Sequence, residues 1–129
     1  MSAGLAVPRP ILRRLRTACA HLPEAYEEPA YAGTRWRIRG NTLAHVRTTD
    51  QGEGPITYVT FHCVGEEREA LLSAGDPFHP GWGDGLIAMV LRDDGSTDWQ
   101  EVKELLTESY CLLAPKKLIA LLDPMRAGT

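Results

Sequence analysis

STDWQEVKELLTESYCLLAPKKLIALL, residues 96–122, is the stretch on which the fold turns. Its apolar residues recur at Trp99, Val102, Leu106, Tyr110 and Leu113, with spacings of three, four, four and three, and this lines one face of an α-helix. Asp98 stands where its carboxylate can cap the first turn, and Glu101, three residues on, gives an acidic form of the capping box. Pro115 has no N–H and disfavours helical geometry at Ala114, so the helix stops there. A second helix, carrying Leu118, Ile119 and Leu122, starts beyond it. A helix this long must bury its stripe, and the β-rich middle of the chain is large enough to receive it.

Working outward, Leu86–Arg92 reads as an apolar strand ending in the turn Asp93-Asp94-Gly95, and Asp76–Gly85 (DPFHPGWGDG) as a long aromatic loop. Gly65–Ala74 has helical composition, with acids in its first turn where the macrodipole favours them. Ile56–Val64 is rich in β-branched and aromatic residues and reads as a strand, but its register is open: Val59, Phe61 and Cys63 oppose Ile56, Tyr58 and His62. Thr34–Arg39 and Thr42–Arg47, joined at Gly40-Asn41, form a predicted hairpin. Glu24–Gly33, broken by Pro29, reads as a loop, and Pro8–Leu22 as a first helix buried through Ile11, Leu12, Leu15, Ala18, Cys19 and Leu22. Residues 1–7 read as a flexible tail, 8–123 as a single domain and 124–129 as a C-terminal tail. Short loops between consecutive strands favour antiparallel pairing. The expected class is α+β: an antiparallel sheet of about five strands packed against helices.

Composition narrows the function classes. The chain has 129 residues and a formal charge of −3, which argues against a generic polyanion binder. That charge is unevenly distributed. Residues 1–50 hold eight arginines and four carboxylates, a net of +4, which leaves −7 on the remainder. Such asymmetry points to a nucleic-acid or acidic-partner surface. The longest apolar run, Leu86–Leu91, is too short to span a bilayer, and the N-terminus lacks the order of a secretory signal. Three widely spaced cysteines imply no disulfide framework. The expectation is a cytoplasmic protein.

No catalytic constellation is legible. The serines and cysteines lack a nucleophile elbow or neighbouring base, the four histidines form no close ligand pairs, and the glycines at 81, 83 and 85 precede a strand rather than a helix. The expectation is therefore a protein with no enzyme activity, no cofactor and no metal. Three binding features stand out. Arg35, Arg37 and Arg39 alternate along one strand face at intervals of about 7 Å, comparable with phosphate spacing; a solvated sheet face has the same pattern. Arg13 and Arg14 on the first helix, and Lys116 and Lys117 after Pro115, add basic groups that nucleic acid could use. His79, Trp82 and Phe78 lie in the aromatic loop, where they can stack on a base, line a pocket, meet a protein partner or cap the core.

The order of pieces resembles one family. Asp98-Trp99-x-Glu101-Val102, then Glu108-Ser109-Tyr110 and Ala114-Pro115-Lys116-Lys117-Leu118, look like the C-terminal helices of the bacterial MmcQ/YjbR-like proteins. Upstream, His21-Leu22-Pro23-Glu24-Ala25, Trp36-Arg37-Ile38-Arg39-Gly40-Asn41 and Glu67-Arg68-Glu69-Ala70-Leu71-Leu72 agree in order, so the resemblance spans about residues 11–122. It implies an antiparallel sheet backed by helices, similar to the frataxin-like (CyaY-like) and double-wing architectures. It also implies DNA binding, a label that rests on likeness to the DNA-binding domain of a phage transcription activator. Many relatives open the strand after the aromatic loop with Trp; here Gly85-Leu86 stand there and Trp82 lies upstream. A frataxin-like iron role asks for an acidic first helix, whereas this one carries Arg13, Arg14 and Arg16. Two functional expectations follow. One is weak, non-specific DNA binding through a basic sheet face. The other is a protein-interaction or homo-oligomerising module.

Overall fold

Asp98 starts the organising helix as its position predicts: the carboxylate accepts from the backbone N–H groups of Gln100 and Glu101, both at 3.1 Å. The structure, a computed structural model, describes residues 5–122. Helix α3 runs Trp99–Leu113, Ala114 is extended before Pro115, and a short α4 covers Lys116–Leu122. Its buried face comprises Val102, Leu105, Leu106, Ser109 and Tyr110. The expected tails lie partly outside the described residues, at 1–4 and 123–129.

Among the described residues the sheet has six antiparallel strands, in spatial order β1-β2-β3-β4-β6-β5. The predicted hairpin is β2 (Thr34–Ile38) and β3 (Asn41–Asp50). A register shift lets both Leu43 and Ala44 be buried: Trp36 faces Ala44, but Arg37 faces Thr42. β4 (Pro55–His62) pairs with β3 and with β6 (Leu86–Leu91), which is an interior strand. Two strands are corrections to the sequence expectation. β1 (Tyr26–Pro29) lies within the segment that composition assigns to a loop, and pairs with the free edge of β2. β5 (Phe78–Pro80) lies within the aromatic loop, so that Phe78 points into the core at 7% exposure. Phe78 is therefore a packing residue and not a loop aromatic offered to a partner.

Pairing resolves the register of β4. Thr57, Val59 and Phe61 turn inward with Trp36, Ile38, Val46, Ile87, Met89 and Leu91, and with Cys63 just past the strand end. Helix α1 (Arg9–Cys19) and α3 pack together, and α3 covers the inner face of β3 and β4. Helix α2 (Gly65–Ala74) buries none of its residues fully and contacts β5 at the edge. The helices thus cover one face of the sheet. The other carries the alternate residues of β3, β4 and β6, and these are only partly buried.

Candidate functional site

The arginine stripe is the first test of the charge reading. Trp36 and Ile38 are buried, so Arg35 and Arg37 stand on the outer face as alternation requires. They are not free. Glu28 on β1 lies opposite Arg35 and holds both guanidiniums, with nitrogen–oxygen distances of 2.6 Å to Arg35 and 3.1 Å to Arg37. Arg37 also donates to the Gly40 carbonyl. Arg39 has left the strand: it is a turn residue with φ of 50°, and its guanidinium lies 2.8 Å from Glu24. Arg13 and Arg14 lie elsewhere, along the α1–α3 groove with Trp99 and Lys103, and Arg14 stacks over Trp99. Lys117 acts on Glu24 from α4, which puts it in the same corner as Arg39. The seven basic candidates therefore form no single patch, and three of them pair with two acids, Glu24 and Glu28, of the segment that reads as a loop.

Those pairs set an acid limit on the fold. Hydrogen bonding from Arg39 holds the Glu24 carboxyl below its ordinary range, and hydrogen bonding from Arg37 and then Arg35 does the same for Glu28. Both groups are more acidic folded than unfolded. Their contribution is present above the ordinary glutamate value of 4.5 and is lost as pH falls through their folded values. Thermal midpoints taken from about pH 7 to about pH 3 should decline more steeply for the wild type than for Glu24→Gln/Glu28→Gln. Equal slopes would show that the pairs carry no acid sensitivity.

The uncovered sheet face holds a different cation. Arg47 on β3 lies beside its cross-strand partner Tyr58 on β4, with its Nε donating to the phenol oxygen at 2.6 Å and its guanidinium carbon 5.3 Å from the ring centre. Among the described residues no carboxylate pairs with it. Arg47 lines a depression of about 510 Å³ with Thr42, His45, Thr60, His62, Leu86 and Trp82, and none of the described lining residues is acidic. The Ala32 carbonyl takes a hydrogen bond from His45 Nε2 at 2.6 Å. A carbonyl only accepts, so Nε2 carries the proton and Nδ1 of the neutral ring is the acceptor. A second depression of about 600 Å³ adjoins the first at Trp82, and its lining includes Ile56, Tyr58, His79, Ala88, Val90 and Glu53. Of the loop aromatics, His79 and Trp82 meet at this face; Phe78 does not.

Neither Arg47 nor the pair His45 and His62 was singled out from sequence. A signal existed, since alternation places His45 and Arg47 on one side of β3, but the side of β4 was undecided. Two of the thiols, Cys19 and Cys63, are held protonated by their surroundings. Burial pushes Cys19 up to about 12, and burial with Glu67 nearby pushes Cys63 up to about 11. Among the described residues no group of three or more His, Cys, Asp or Glu side chains is placed to hold a metal ion, and no helix is long and apolar enough to cross a membrane.

Among the described residues, an antiparallel sheet with helices on one face and two open, aromatic-rimmed depressions on the other defines an α+β domain. The YjbR family model matches residues 20–112, and the chain belongs to that family. The matched span includes Arg47, His45, His62 and Trp82 and excludes Arg13, Arg14, Lys116 and Lys117. No curated protein matches the sequence.

Proposed function

We propose that this protein acts by binding rather than catalysis, and that it binds nucleic acid, weakly and without sequence preference, through the uncovered face of its sheet. The observation that carries the reading is Arg47: a cation with no carboxylate partner among the described residues, in a depression whose lining is free of acids. Two threonine hydroxyls and two imidazoles beside it add donors and acceptors for phosphate and base edges. The stripe Arg35–Arg37 flanks this depression, since Arg35 lies directly across from His45. Its charge is partly spent on Glu28, so it contributes less than its count of guanidiniums.

The test is fluorescence anisotropy of labelled DNA over a salt series. Binding should be steeply weakened by salt, and Arg47→Gln should lower the log–log slope by about 0.7–0.9, the share of one neutralised phosphate. Arg35→Gln or Arg37→Gln should each lower it by less than Arg47→Gln does, because the Glu28 carboxylate shared between them offsets part of their charge. An unaltered slope in Arg47→Gln would retire the depression as a phosphate site. A second reading has its own support: Ile56, 45% exposed, with Ala88, Val90 and Trp82, gives the outer depression an apolar floor suited to a protein partner or a second copy. Light scattering across a dilution series separates the two, since a stable dimer through this face would hide Arg47.

A further inference from the structure

We infer that the strand bound on this face is unpaired, with one base stacked on Trp82; the inference rests on the nucleic-acid reading above and narrows it to single-stranded DNA or RNA.

Trp82 is 88% exposed, although Ala88 and Val90 lie close by in the depression that it lines. Its loop is held so that it stays out. Gly81 N–H donates to the Leu86 carbonyl at 3.0 Å, and Leu86 N–H donates to the Gly83 carbonyl at 3.3 Å. At Gly81 even a Cβ would come within 2.7 Å of the Leu86 Cβ, so the backbone sits directly on the strand and carries the indole at its turn. A solvent-facing indole carried on a backbone held in this way is a stacking platform awaiting a flat partner. In a duplex the base faces are covered by their neighbours; an unpaired strand offers them free. The surroundings complete a nucleotide site. Trp82 and Arg47 line the same acid-free depression, so a base on the indole leaves its phosphodiester within the reach of that depression's cation. His45 Nδ1 and the Thr60 hydroxyl remain to meet the base edge. The second depression, on the far side of Trp82, receives the next nucleotide.

The test compares three probes at about 50 mM salt: an oligodeoxyuridylate of about ten nucleotides, the RNA oligouridylate of equal length, and a DNA duplex of equal length. The wild type should prefer a single strand to the duplex by about ten-fold or more, and the two single-stranded arms identify the sugar. Trp82→Ala should lose about ten-fold toward the single strand and little toward the duplex, and Trp82→Phe should recover most of the loss. The single strand should quench the exposed Trp82 emission, and this quenching should be absent from Trp82→Ala. An 88% exposed side chain is expendable to the fold, so an unchanged thermal midpoint certifies the variant. Equal affinity for single strand and duplex, with Trp82→Ala unaffected, would overturn this inference and leave the nucleic-acid reading standing. No binding of any probe by the wild type would overturn both. Burial of Trp82 on self-association, seen as a concentration-dependent blue shift, would assign the face to a second copy.

Discussion

Leu106→Ala should lower stability by about 2–5 kcal/mol and the thermal midpoint by on the order of 10 °C. Leu106 is 0% exposed at the centre of the α3 face that covers β3 and β4. Truncation removes its transfer free energy and leaves a void that close-packed neighbours fill only in part. The large end of the range is expected because Leu106 is fully buried on a helix that packs against α1 as well as against the sheet. Circular dichroism melts of the two proteins check this. A midpoint within the error of the wild type would mean that α3 does not pack as described.

What the chain reveals before folding depends on how local the cause is. Helix α3 is legible because its stripe, cap and stop all lie within one segment, and the β2–β3 hairpin is legible because alternation and a Gly-Asn turn coincide. Strand β1 is not: Tyr26-Glu27-Glu28-Pro29 has no apolar alternation, and it is a strand only because the edge of β2 is open to it. The same non-local event decides the arginine stripe. Alternation places Arg35 and Arg37 on one face correctly, but their partner Glu28 is seven and nine residues away in what reads as a loop. Phe78 sits among prolines and glycines with no periodicity, and only the pairing of β5 with β6 turns it inward. The uncovered face needed the register of β4, which two equally apolar sets of residues leave undecided until β3 and β6 close on it. Arg47, His45 and His62 became a site at that step.

Ser109→Ala is expected to cost about 2–5 kcal/mol, far beyond what deleting one small polar side chain from a helix would cost at the surface. Ser109 is 0% exposed on the stripe of α3, where the pattern alone would place an apolar residue. Its hydroxyl donates to the Leu43 carbonyl at 2.7 Å and accepts from the His62 N–H at 2.9 Å. Both backbone groups need it. Leu43 is the extra residue at the register shift of β3, where the ladder with β2 is interrupted, and His62 ends β4. Alanine changes the shape little but strands one carbonyl and one N–H away from water, each at about 1–3 kcal/mol. Because His62 lines the depression around Arg47, the variant should also loosen that wall of the proposed nucleotide site. Hydrogen exchange at the His62 amide should accelerate, and single-strand affinity should fall while the salt slope, set by Arg47, stays unchanged. Protection of that amide at the wild-type level in Ser109→Ala would show that water or another group replaces the hydroxyl, and that α3 is joined to the sheet by apolar packing alone.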